Sequence, residues 1–109
     1  MKKYKIEVTI TKDYEVEIDD TIYNEKEQEI FESIMWDLEG ETPAEGFAKS
    51  LAEQSARLGV NTFLEGFGLV PRNQEDIEIF KEENFRKGMF IREIDEGIES
   101  EVEEVDDFD

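Results

Sequence analysis

Residues 3–18, KYKIEVTITKDYEVEI, narrow the possible folds more than any other stretch. Tyr4, Ile6, Val8 and Ile10 alternate with Lys3, Lys5, Glu7 and Thr9. After Thr11–Asp13 the pattern resumes as Tyr14, Val16 and Ile18 against Glu15, Glu17 and Asp19. Apolar residues at period two mark a strand with one buried and one polar face. Thr11, Lys12 and Asp13 read as a short turn, so the two runs are expected to form an N-terminal antiparallel hairpin. Its apolar face requires a covering layer.

Helical patterns downstream supply that layer. Asn24 and Glu27 have the spacing of a capping box. Ile30, Phe31, Ile34, Met35 and Leu38 follow at helical intervals, so a helix is expected over 25–39, stopped at Gly40. Thr42, Pro43 and Glu45 open a second helix, expected over 43–58 and closed by Gly59, with Phe47, Ala48, Leu51, Ser55 and Leu58 as its inner stripe. The apolar, Gly-interrupted segment 60–70 fits either a bent strand or a buried loop. Asn73 is placed to cap a third helix over 74–86. GMFIREI, 88–94, reads as a strand. The expected architecture is α+β, a small antiparallel sheet with an N-terminal hairpin and two or three helices packed on one face. Residues 1–94 form one domain in this reading, and 95–109 an acidic C-terminal segment. Ile98, Val102 and Val105 would anchor that segment, with full order reached only against a basic partner.

Charge then limits the function. Thirty-one acids face twelve bases, a net charge of −19 in 109 residues. Such repulsion opposes compaction and exceeds the roughly 2–8 charges that solubility asks of a small domain. Direct binding to nucleic acid or to an anionic membrane is disfavoured, because both carry the same sign. A basic protein surface is the natural partner. MKKYKIEVTI alternates where a signal peptide would be uniformly apolar, and no run approaches a membrane span, so a cytoplasmic protein is the expectation.

Enzymatic chemistry finds little support. The chain has neither His nor Cys, the commonest general base and the commonest soft metal ligands. Ser33, Ser50, Ser55 and Ser100 have no evident activating partner; Lys49 and Ser50 are adjacent, and adjacent helical residues do not face each other. DEGIESEVEE departs from the calcium-loop spacing around its glycine. GFGLVPRN lacks the continuation of a phosphate-binding loop, and its glycines read as turn formers. No enzyme activity, cofactor or metal is expected.

The acids themselves remain. Alternate residues of an extended strand lie about 6.5–6.8 Å apart, an interval comparable with that between successive phosphates of one nucleic-acid strand. Glu15, Glu17 and Asp19 would share one face of a strand, as would Glu99, Glu101 and Glu103 if that segment is extended. Glu25, Glu29 and Glu32 would form a row on the first helix. With Glu93, Asp95, Glu96, Glu104, Asp106 and Asp107 they are the candidate contact residues. Phe108 and Ile98 beside them are candidates for a desolvated centre.

A small, very acidic, Cys-free single domain opening with YKIEVTITKDYEVEIDD resembles the inhibitors carried by phages and mobile elements, in particular DNA-mimic anti-CRISPR and antirestriction proteins. That resemblance lies in size, charge and the N-terminal hairpin, and carries no residue role by position. It implies an inhibitor that blocks the cationic DNA- or PAM-binding cleft of a nuclease, with a Cas9-type effector as first guess. The alternative is a non-catalytic accessory or regulatory protein, homodimeric through its Phe-rich helices, whose acidity serves solubility. A factor that sequesters basic nucleoid proteins is a third reading.

Overall fold

A computed structural model describes residues 1–60, 62–80 and 84–105; of Asp95, Glu96, Glu104 and Val105 it describes the backbone alone. Among these residues the order is β1 (Lys3–Ile18), α1 (Glu25–Ile34), α2 (Pro43–Leu58), α3 (Gln74–Phe80) and β2 (Met89–Val105). The class is α+β, as the sequence patterns indicate.

The strand pairing differs from the expected hairpin. Residues 3–18 form one uninterrupted strand, and its partner is β2 from the other end of the chain, antiparallel, in a two-stranded sheet. Thr11–Asp13 lack the Gly, or the Asn-Gly or Asp-Gly pair, that tight hairpin turns favour at positive φ. They simply continue the strand, opposite Gly97, Glu96 and Asp95. β2 likewise runs well past the expected 88–94 and takes in the acidic segment to Val105.

The register runs from Lys3↔Val105 to Asp13↔Asp95, then shifts to Tyr14↔Glu93. Ile94 is therefore the extra residue of a β-bulge. The bulge reverses side-chain parity along β2. Met89 and Ile91 on one side of it thus share a face with Ile98 and Val102 on the other.

Half of this ribbon is covered. Met89 and Ile91 are buried, and Tyr14, Val16 and Ile18 pack against a core of Tyr23, Phe31, Leu38, Phe47, Leu51, Leu64, Phe67 and Val70. Phe31 is central to it, with the Trp36, Phe47 and Phe67 rings at 5.3, 5.4 and 5.6 Å in edge-on or tilted contact. The other half, from Lys3 to Thr11 and from Gly97 to Glu103, is exposed on both faces. The molecule is accordingly long, 61 × 33 × 20 Å, with a radius of gyration of 18.8 Å, where a compact chain of this length has about 13 Å.

The helices start where their caps lie. Asn24 Oδ1 accepts the Glu27 amide at 3.1 Å, and Thr42 Oγ1 accepts that of Glu45 at 3.2 Å. α2 keeps its expected limits. α1 ends at Ile34, short of 39, because the chain turns so that Trp36 reaches α2, its Nε1 donating to Ser50 Oγ at 2.8 Å. Asn73 Oδ1 caps α3 at the Asp76 amide, 2.9 Å, but that helix is described only to Phe80. By residue 85 the chain is extended, with Phe85 bridged to Leu69. Residues 62–70 form a tight loop in which Leu64 meets Gly68; Leu64, Phe67 and Val70 are buried, while Phe63 is exposed. Gly66 there has φ +84°, and a Cβ on it would lie 3.0 Å from the Phe31 ring.

Candidate acidic interface

The two faces of the exposed half-ribbon are chemically unlike. β1 contributes Lys5, Glu7, Thr9 and Thr11 to one face, opposite Glu103, Glu101, Glu99 and Gly97 of β2. Glu7 and Glu101 are direct cross-strand neighbours, an arrangement of like charges that destabilises a sheet. Lys5, Glu7, Glu101 and Glu103 rim a shallow depression of about 100 Å³. Glu7, Glu99, Glu101 and Glu103 are exposed and join none of the ion pairs found among the described residues. Glu99, Glu101 and Glu103 follow one another along β2 at the two-residue interval of about 6.8 Å.

Glu7 is the member that sequence reasoning missed. It lies on the polar face of the first alternation, yet only pairing between the two ends of the chain brings it to Glu101.

The other candidates are dispersed. Glu15 and Glu17 both bind the Arg92 guanidinium: Nη2 donates to Glu15 and Nη1 to Glu17 at 3.1 Å, while Nη1 also reaches the Arg72 carbonyl at 2.9 Å. These two acids thus share one guanidinium of their own chain, Glu15 first and Glu17 second in holding Arg92 charged. Asp19 shapes the turn after β1. Its Oδ1 accepts the Thr21 hydroxyl at 2.6 Å and the Thr21 amide at 3.0 Å, and these bonds hold its carboxyl below the usual range. Glu25 sits in the first turn of α1, favourable to the helix dipole. Glu29 is exposed, but Glu32 Oε2 accepts the Leu38 amide at 2.8 Å, which interrupts the expected helix row. Glu93 is exposed opposite Tyr14, on the parity of Met89 and Ile91 and so away from Glu99–Glu103.

Asp95, Glu96 and Glu104 pair in register with Asp13, Lys12 and Tyr4. Asp106, Asp107 and Phe108 lie outside the described residues. Ile98 does not lie among the acids. Bulge and register put it with Ile10 and Val102, on the opposite face from Glu99 and Glu101.

The second polar cluster is structural. Arg72 holds Asp76 with two bonds, Nε to Oδ2 at 2.8 Å and Nη2 to Oδ1 at 3.0 Å, and its own amide adds a third at 3.2 Å. The Arg72 side chain keeps the Asp76 carboxyl low despite the opposing effect of burial.

Among the described residues no group of three or more acidic side chains is placed to hold a metal ion, and no helix is long and apolar enough to cross a membrane. The arrangement offers an exposed row of carboxylates on a projecting two-stranded arm, a geometry suited to multiple contacts with a cationic surface. No protein-family model, curated protein or solved structure matches the chain.

Proposed function

We propose that this protein is a non-catalytic inhibitor that occupies the cationic nucleic-acid cleft of a nuclease, a Cas9-type effector being the first target to test. One observation carries the reading. Glu7, Glu99, Glu101 and Glu103 stand together on a projecting ribbon, and none of them joins an ion pair found among the described residues. Packing does not require that arrangement, and Glu7 opposite Glu101 works against it. A row of guanidinium groups that normally holds phosphates would relieve the repulsion and form charge-assisted hydrogen bonds with the carboxylates. The ribbon's length and narrow section suit insertion into a channel.

The test is capture of purified effector by the immobilised protein, with and without guide RNA, followed by challenge with target DNA. Displacement by DNA, and weaker capture as salt rises, is the expected result. Capture that persists unchanged in excess DNA and in high salt, or no capture by any cationic nuclease tried, would overturn the reading.

A further inference from the structure

The face of the ribbon opposite the acids has no function in the reading above. Tyr4, Ile6, Val8, Ile10, Ile98 and Val102 lie on it, each between 52% and 66% exposed. These residues continue the core face of β1 and β2 beyond the point where the helices stop covering it. The whole chain exposes 8201 Å², whereas a compact monomer of 12.8 kDa exposes about 6,300 Å².

We propose that this face binds the same face of a second copy, with the two ribbons antiparallel. Three observations select that occupant. The first is charge. The centre of this face, from Ile6 to Ile10 and from Ile98 to Val102, carries no charged residue; Lys12, Glu96 and Glu104 stand in register only at its two ends, so two chains of net charge −19 can meet here with their Glu99–Glu103 rows directed away from each other. A cationic partner, in contrast, is drawn to the opposite face.

The second is symmetry. The pattern centres on Val8 opposite Ser100, with Ile6 and Val102 one step towards the tip and Ile10 and Ile98 one step towards the body. A two-fold axis through that centre lays Ile6 and Val102 over Ile10 and Ile98 of the partner copy, as an isologous interface demands. It also puts the two helical bodies at opposite ends, where they do not collide. The Tyr4 tip of each ribbon arrives at an open cleft of about 460 Å³ lined by Ile10, Thr11, Lys12 and Ala56. There the ring can cover the Lys12 ammonium.

The third is area. Six side chains with on the order of 100 Å² exposed each give ~1,200 Å² over two copies, the lower bound of a specific interface.

The inference concerns self-association and is tested without any target. Analytical ultracentrifugation should show a species of twice the chain mass, more populated as salt screens the net charge. Val8→Asp should return it to a monomer with unchanged Trp36 fluorescence, which reports that the body remains folded. The chain has no cysteine, so single thiols map the contact. Ser100→Cys should yield a covalent dimer with a short bis-maleimide, and Thr9→Cys, on the acidic face, should not. The inference fails if the protein sediments as a monomer up to roughly 0.5 mM in high salt. It also fails if Ser100→Cys cross-links no better than Thr9→Cys. A Val8→Asp variant that stays dimeric would likewise overturn it.

Discussion

Reversing three carboxylates, with Glu99, Glu101 and Glu103 all changed to Lys, tests whether the ribbon's acidic face carries binding. All three side chains are exposed on one face of β2, so the substitution leaves the core intact. Locally it even removes the Glu7–Glu101 repulsion, while setting Lys5 against a new cation at 103. The fold should survive with a melting temperature close to that of the parent. Binding should not. One exposed charge pair changes affinity by a factor of roughly 2, and reversal exchanges an attraction for a repulsion, so each position contributes ~5-fold and the three together on the order of 100-fold. Titration calorimetry against the captured nuclease at low salt reads that change. The pairs these exposed carboxylates make are screened by salt, so the loss should shrink as salt is raised and approach the salt-independent residue of binding. A triple variant that binds within a factor of about 3 of the parent at low salt, with its fold intact, would refute the assignment of the interface to this face.

Phe47 is fully buried, with the Tyr23 and Phe31 rings 5.0 and 5.4 Å away. Phe47→Ala should lower unfolding free energy by about 3–5 kcal/mol in urea titrations. Gly88 has φ +80°, and a Cβ there would meet Ile22 Cδ1 at 2.9 Å and the Tyr23 ring at 3.1 Å. Gly88→Ala should therefore cost at least about 1 kcal/mol, read as a melting temperature lower by several degrees. Asp76 has a folded pKa held low by Arg72, so its contribution is present above the unfolded value of about 3.9 and is lost as pH falls through the folded one. The stability gap between the parent and Asp76→Asn should be widest near neutrality and close in acid, as followed by denaturation at a series of pH values.

Much of the fold is legible in local chemistry. Asn24, Thr42 and Asn73 cap the helices they precede, because capping depends only on residues three positions away. α2 keeps its sequence limits between Thr42 and Gly59 for the same reason. α1 is shorter than its apolar periodicity because Trp36 bonds to Ser50, a contact across fourteen residues that no local pattern encodes. The one local sign against the hairpin is that Thr11–Asp13 offer neither Gly nor Asn for a tight turn at positive φ; parity is silent, because a three-residue turn would also leave Ile10 and Tyr14 on one face.

The candidate site was legible as composition and parity, and its assembly was not. Parity alone puts Glu99, Glu101 and Glu103 on one side of an extended segment, and Glu15, Glu17 and Asp19 on one side of another. Nothing in that parity tells that the second set is consumed by Arg92 and Thr21, or that Glu7 joins the first. The Arg92 and Glu7 contacts are consequences of pairing residues 75 or more positions apart, whereas the Asp19–Thr21 bonds span only 2. The sequence by itself determined which residues share a face, where helices begin, and that the chain carries far more negative charge than its fold needs. Tertiary structure alone decided the partner of β1, and the bulge at Ile94 that carries the apolar parity of Met89 and Ile91 on to Ile98 and Val102. It also decided that half the resulting ribbon lies outside the core. Side-chain alternation is a property of one strand, whereas register and cover are properties of two elements that meet only when the whole chain folds.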